Sequence, residues 1–169
     1  MEEKTNNIPE IKDKIFSFVK KNYIKILFIV FLVILFLVIL IFLQFNHKKK
    51  NTLISEEYMK ASIMISSNEL EKPKKILENI IFSKNKFYSN LALNLILEKK
   101  LEKDFNRIIS YFEAVEKLSL SKDQYELLIF KKALYLMKSS KIEEGKKLLK
   151  NLANSKSNIK NLAINILKE

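Results

Sequence analysis

The sequence predicts an all-α fold: a single apolar span near the N-terminus, then an α-solenoid of about three helix pairs closed by a C-terminal capping helix. Three observations carry this. The first is ILFIVFLVILFLVILIFLQF, Ile26 to Phe45, which opens with 18 consecutive apolar residues. The second is that no later segment alternates with period two over the length of a strand. The third is a recurrence of helix starts near 50, 86, 122 and 158, a period of roughly 36 residues.

A helix of about 20 residues, rising about 1.5 Å per residue, crosses the roughly 30 Å of bilayer hydrocarbon. The run at 26–45 has that length and contains no Gly, Pro, Ala or Ser. A cleaved signal has a shorter apolar core followed by a small-residue site. Here QFNHKKK follows instead, so the run reads as a permanent anchor. Every later apolar cluster carries several charges, and one charge at a helix centre costs roughly 2.5–3.5 kcal/mol on insertion. The expected organisation is therefore an N-terminal segment 1–25, a transmembrane helix 26–45 and a helical domain 46–169.

The first residues, MEEKTNN, read as disordered, and Ile8-Pro9-Glu10 reads as a helix start. IKDKIFSFVKKNYIK then leads as an amphipathic helix into the span, with Ile11, Ile15, Phe18 and Val19 on one face. Lysines flank the span on both sides: Lys20, Lys21 and Lys25 before it, Lys48, Lys49 and Lys50 after it. His47 is the only histidine and reads as part of this interfacial flank. Counting also Lys12, Lys14 and Lys60, the balance within about 15 residues of the span is five lysines before it against four after it. The positive-inside rule therefore leaves the orientation nearly tied.

Beyond the anchor, helices are expected at about 50–67, 70–83, 86–101, 104–119, 122–139, 141–153 and 158–168. Asn68, Asp104, Ser121 and Ser157 are the expected caps. The helices at 70–83 and 141–153 carry narrow apolar stripes: Leu70, Ile76, Leu77, Ile80 and Ile81 in one, Ile142, Leu148, Leu149 and Leu152 in the other. Those at 86–101 and 122–139 are apolar over a wider arc. A solenoid explains the difference, because its first helices also pack on the preceding pair. The last segment, NIKNLAINILKE, is one-sided, as a terminal cap requires.

Composition excludes several functions. The chain lacks cysteine, and its single glycine, Gly145, rules out a glycine-rich phosphate loop. One histidine and no thiol leave nothing for a zinc site. Glu56-Glu57 and Glu143-Glu144 are helix neighbours that point about 100° apart and do not converge as an acid/base pair. The chain reads as a non-enzyme without cofactor or metal. Net charge is +12, yet Arg107 is the only arginine. Lysines are scattered point charges without the planar fork that reads phosphates and bases, so no specific nucleic acid is expected. The HKKK cluster suits anionic lipid head groups.

The unit ALYLMKSSKIEEGKKLLKNL, Ala133 to Leu152, pairs a small residue in one helix with a small residue twelve positions on, Ala133 with Gly145. ASIMISSNELEKPKKIL repeats the spacing with Ala61 and Pro73, while Ala92 is followed by Asp104. These units resemble degenerate tetratricopeptide repeats. With the anchor, the HKKK flank and KFYSNLALNLILEKKLEKDFNRIISYF, the architecture from Pro9 onward resembles the bacterial YfgM-type ancillary subunit of the Sec translocon. That resemblance implies a single-pass protein of the bacterial inner membrane, with a cytoplasmic N-terminus and a periplasmic repeat domain. It implies Sec translocon subunits, a membrane-anchored periplasmic chaperone and exported polypeptides as partners, alongside the lipid bilayer. By the same likeness a groove is lined from the first helices, at Tyr58, Ile65, Leu93, Ile96, Phe130 and Met137. Ordinary core packing is the competing assignment for these six. Two other functions fit the same features: an envelope or cell-division scaffold, and a cytoplasm-facing adaptor on anionic membrane.

Overall fold

The computed structural model describes residues 7–168 and, among them, shows seven α-helices and no strand. MEEKTN and the side chains of Ile11, Ile15 and His47 lie outside the described residues. The chain divides into two compact units, the first ending at Lys50 and the second beginning at Asn51.

Helix α1, Asn7–Ser66, passes through both units and leaves helical geometry at Asn22 (φ −117°, ψ 16°). There the Asn22 side-chain amide donates to the Phe18 carbonyl at 3.1 Å, an alternative partner that disturbs the backbone ladder. From Leu27 to Leu43 every side chain is at least 45% exposed. So much contiguous apolar surface is unfavourable in water. This helix is long and apolar enough to cross a membrane.

The second unit contains the end of α1, then α2 (Glu71–Phe82), α3 (Lys86–Lys99), α4 (Phe105–Glu116), α5 (Lys122–Lys138), α6 (Ile142–Asn154) and α7 (Lys160–Lys168). The bounds of α2 to α7 lie within a few residues of those expected from the polar breaks; the start expected near 50 is absent, because α1 runs through that point without a break. Asn85, Asp104 and Ser121 cap α3, α4 and α5, each accepting a backbone N–H from the first turn. Ser121 and Gln124 form a reciprocal capping box. Asn68 does not cap α2. It sits in the left-handed region (φ 60°) at the end of α1, as do Lys84, Lys100 and Ser140 after later helices. Such positions favour glycine, but this chain uses its one glycine elsewhere. Ser157 accepts from the Ile159 N–H at 3.2 Å, just upstream of α7.

Two buried clusters form the interior. One runs from Ile54 and Ala61 of α1 through Leu77, Leu93 and Phe112 to Leu128 of α5. The other joins Ile129 and Ala133 of α5 to Leu149 and Leu152 of α6 and Ala163 of α7. Full burial of one such aliphatic side chain contributes about 1.5–3 kcal/mol. The most extensive contact is α5 with α6, followed by α2 with α3 and α6 with α7; α4 makes narrower contacts with α2, α3 and α5. Buried Ser89 of α3 fastens the α2–α3 contact by donating to the Ile80 carbonyl at 2.9 Å. Leu70 and Ile142 are about half exposed, so the stripes of α2 and α6 begin one turn later than expected.

Features recur at twice the sequence period. Ala61 and Ala133 are both fully buried, Pro73 and Gly145 are both buried, and Asn68 and Ser140 are both left-handed. Gly145 lies where α6 crosses α5. A Cβ there would sit 2.6 Å from the Ala133 carbonyl oxygen and 2.5 Å from Met137 Cγ. Alanine favours helix by about 1 kcal/mol over glycine, but overpacking against backbone costs about 1–3 kcal/mol. Because a carbonyl cannot swing aside as a side-chain tip can, Gly145→Ala is expected to destabilise the chain by about 1 kcal/mol. A lowered thermal midpoint of the full-length protein in detergent checks this, and an unchanged or raised midpoint contradicts it.

Candidate functional site

The six residues expected to line a groove divide between the two buried clusters. Ile65, Leu93 and Ile96 are buried in the first cluster, where half-buried Tyr58 tilts against Tyr88 with ring centroids 5.9 Å apart. Phe130 and Met137 are half-buried against the second cluster. The reason is geometric. Tyr58, Ile65, Ile96, Phe130 and Met137 lie three before or four after Ala61, Ala92 or Ala133, and helix residues so spaced share a face. Leu93 directly follows Ala92 on the same buried arc. These alanines mark the packed face, so their stripe is core.

The structure opens a different groove. A cleft of about 810 Å³ lies between α3, the α3–α4 turn, α4 and α5. Leu97, Leu134 and Tyr135 supply its apolar surface over a floor of buried Ile96 and Ile108, so of the six expected groove residues only Ile96 borders it. Lys100 and Lys103 of the turn, and Lys131 and Lys138 of α5, supply cationic groups. Asn94 stands opposite Lys131 and accepts from its ammonium at 2.8 Å. Burial lowers the Lys131 pKa.

Two carboxylates also line the cleft, and both are engaged. Glu98 pairs with Lys99 at 3.1 Å. Glu102, only 8% exposed, is the hub of a polar network. Its Oε1 accepts from the backbone N–H groups of Lys103 (2.7 Å) and Asp104 (2.9 Å) at the start of α4. Its Oε2 faces the Lys74 ammonium at 3.0 Å and Arg107 Nε at 3.2 Å. Both cations face this oxygen across the buried α2–α4 contact. Arg107 also pairs with Glu78 of α2.

Burial opposes the charge on Glu102 most strongly, but the Asp104 N–H, Lys74 and the Lys103 N–H together outweigh it. The carboxyl is lowered to about 2 from 4.5. The Glu102 bond raises the Lys74 pKa despite partial burial. The Tyr111 hydroxyl, then Glu78, raise that of Arg107, while burial raises that of Tyr111 itself.

Lys20, Lys21, Lys25, Lys48, Lys49 and Lys50 are all exposed on α1. Among the described residues no group of His, Cys, Asp and Glu side chains is placed to hold a metal ion. Neither Glu102 nor Lys131 stood out in the sequence, because isolated charges in Lys-rich helices look like solvated surface. Comparison of the chain with protein-family models, curated proteins and solved structures gave no match.

A carboxyl whose folded pKa lies below its unfolded value stabilises the fold fully above the unfolded value and progressively less as pH falls through the folded one. Glu102 should therefore give the thermal midpoint an acid slope between about pH 4.5 and pH 2. Glu102→Gln should remove that contribution and destabilise the fold by roughly 2 kcal/mol at neutral pH, the scale of charge-assisted hydrogen bonds. Denaturation of the full-length chain across this pH range tests it. A variant with the same midpoint and the same acid slope would show that the network contributes nothing.

Proposed function

We propose that this chain is a single-pass, membrane-anchored scaffold or co-chaperone beside the Sec protein-export translocon, holding partner proteins or exported chains on a helical-repeat domain. The observation that carries the anchor is the bare surface of Leu27–Leu43, with lysines exposed on both flanks. In water this segment has no partner, whereas a bilayer supplies one along its whole length.

The solenoid reading is supported by the paired features at Ala61/Ala133, Pro73/Gly145 and Asn68/Ser140, and by side-chain bonds that each link residues about one period apart. Asn85 donates to Asn51 at 2.7 Å, Lys122 to the Lys156 carbonyl at 2.7 Å, and Asn158 to Asp123 at 2.9 Å. Three helix pairs, with α7 as the cap, account for these spacings. A stacked array of helix pairs offers extended surface for polypeptides, and tethering raises its effective concentration at the membrane. The export setting, the translocon and chaperone partners, and the periplasmic side in a bacterial inner membrane rest on the architectural resemblance. The basic domain also suits an adaptor lying on anionic membrane from the cytoplasm, and the two readings put the domain on opposite sides.

Topology separates them. The chain has no cysteine, so Lys150→Cys on the exposed face of α6 gives a single reporter. A thiol reagent that cannot cross the inner membrane should label it in intact cells, and crosslinks to channel subunits should follow. Protection that ends only on lysis would put the domain inside and remove the export role.

A further inference from the structure

The cleft between α3 and α5 has an imbalance of charge that the fold does not use. Among the described residues, Lys100, Lys103, Lys131 and Lys138 have no carboxylate partner. The nearest acids are occupied, Glu102 by Lys74 and Arg107, and Glu98 by Lys99. Lys131 is half-buried, and its ammonium bonds only a neutral amide, that of Asn94. An ammonium partly withdrawn from water without a counter-charge is destabilising, and an incoming anion relieves it. Beside these cations lies apolar surface from Leu97, Leu134 and Tyr135.

We infer that this cleft binds an acidic polypeptide segment, with a carboxylate at Lys131 and Asn94 and a neighbouring apolar side chain against Leu134 and Tyr135. The inference rests on the scaffold reading and assigns it a site and a ligand class. A volume of about 810 Å³ falls within the roughly 300–1,000 Å³ of ligand clefts, enough for a few side chains and too little for a folded partner. The cleft opens to solvent and carries cations on both walls, which suits a chain with alternating charged and apolar groups better than an acyl tail. Lysines on flexible stems tolerate many acidic sequences, and so fit a varied ligand.

The test uses the full-length protein in zwitterionic nanodiscs and a fluorescent peptide alternating Glu and Leu, read by anisotropy. Saturable binding that weakens with salt is expected, with a clear loss when Gln replaces Glu. Lys131→Met should weaken binding about tenfold, the scale of one charge-assisted hydrogen bond. Lys131→Arg should hold it within a few-fold, and Lys147→Met on α6 should leave it unchanged. Should Lys131→Met fail to fold by circular dichroism, Lys103→Gln combined with Lys138→Gln, both exposed, should weaken binding instead.

Equal binding of the Glu and Gln peptides overturns the inference, as does binding indifferent to all these lysines. So does capture of phosphatidylglycerol vesicles through Lys131 without peptide binding. Failure here with channel crosslinks intact removes the site and leaves the scaffold; loss of the crosslinks removes the scaffold itself.

Discussion

Two helices approach closely only where one backbone carries little bulk at the crossing, and the architecture of the helical domain follows from where this chain supplies such a place. At Gly145 the approach leaves no room for a Cβ beside the Ala133 carbonyl, and α5 packs on α6 more extensively than any other pair. One period from both Pro73 and Gly145, the middle pair carries Ile109, a bulky branched residue, at the corresponding place. Accordingly α3 and α4 make only a narrow contact. The space that closer packing would have filled becomes the cleft.

A splayed helix pair leaves the start of α4 to be held by other means, and Glu102 holds it. One carboxylate satisfies two backbone N–H groups and attracts cations from α2 and α4, tying the α3–α4 turn to both helices. Its burial is tolerable only because all these partners are present at once; a partial set would leave a charge worse placed than in water. The same arrangement determines the character of the cleft. With Glu102 turned toward Lys74 and Arg107, the lysines on the other side of the turn keep their full field. Structural stability and ligand chemistry are thus linked through one side chain.

Much of this was legible in the sequence, and the part that was not has a common cause. Helix bounds followed from polar breaks, because a chain with one glycine and two prolines must end its helices at Asn, Lys and Ser. The Ala133–Gly145 crossing was legible because small residues in large-residue helices have few other uses. Asn68 has the composition of a helix start but ends the previous helix; an Asn at a junction serves either purpose, and only the backbone dihedral decides. The conspicuous alanines point to a groove along their own stripe, but that stripe is the packed face. Asn94, Lys131, Leu134 and Lys138 lie roughly 100–200° around their helices from those alanines, at 100° per residue. There, polar residues interspersed with leucine look like ordinary exposed surface. Only the position of α3 relative to α5 turns that surface into a cleft, and no local pattern encodes it.

The choice of lysine over arginine bears on how such a cleft would work beside a membrane. Arginine forks fix carboxylates in one orientation, so affinity comes with selectivity for geometry. Lysine ammoniums are strongly hydrated, mobile and individually weak, and exposed ones are screened within about 8–10 Å at physiological salt. A site built from four of them, one half-buried, favours acidic chains as a class and releases them readily. That combination is poor for a permanent complex in solution. It becomes adequate when an anchor confines the site to two dimensions near its ligands, because effective concentration then replaces intrinsic affinity. Under this reading the bare apolar helix and the weak cationic cleft are two parts of one device, since a tighter cleft would retain each chain that it should pass on.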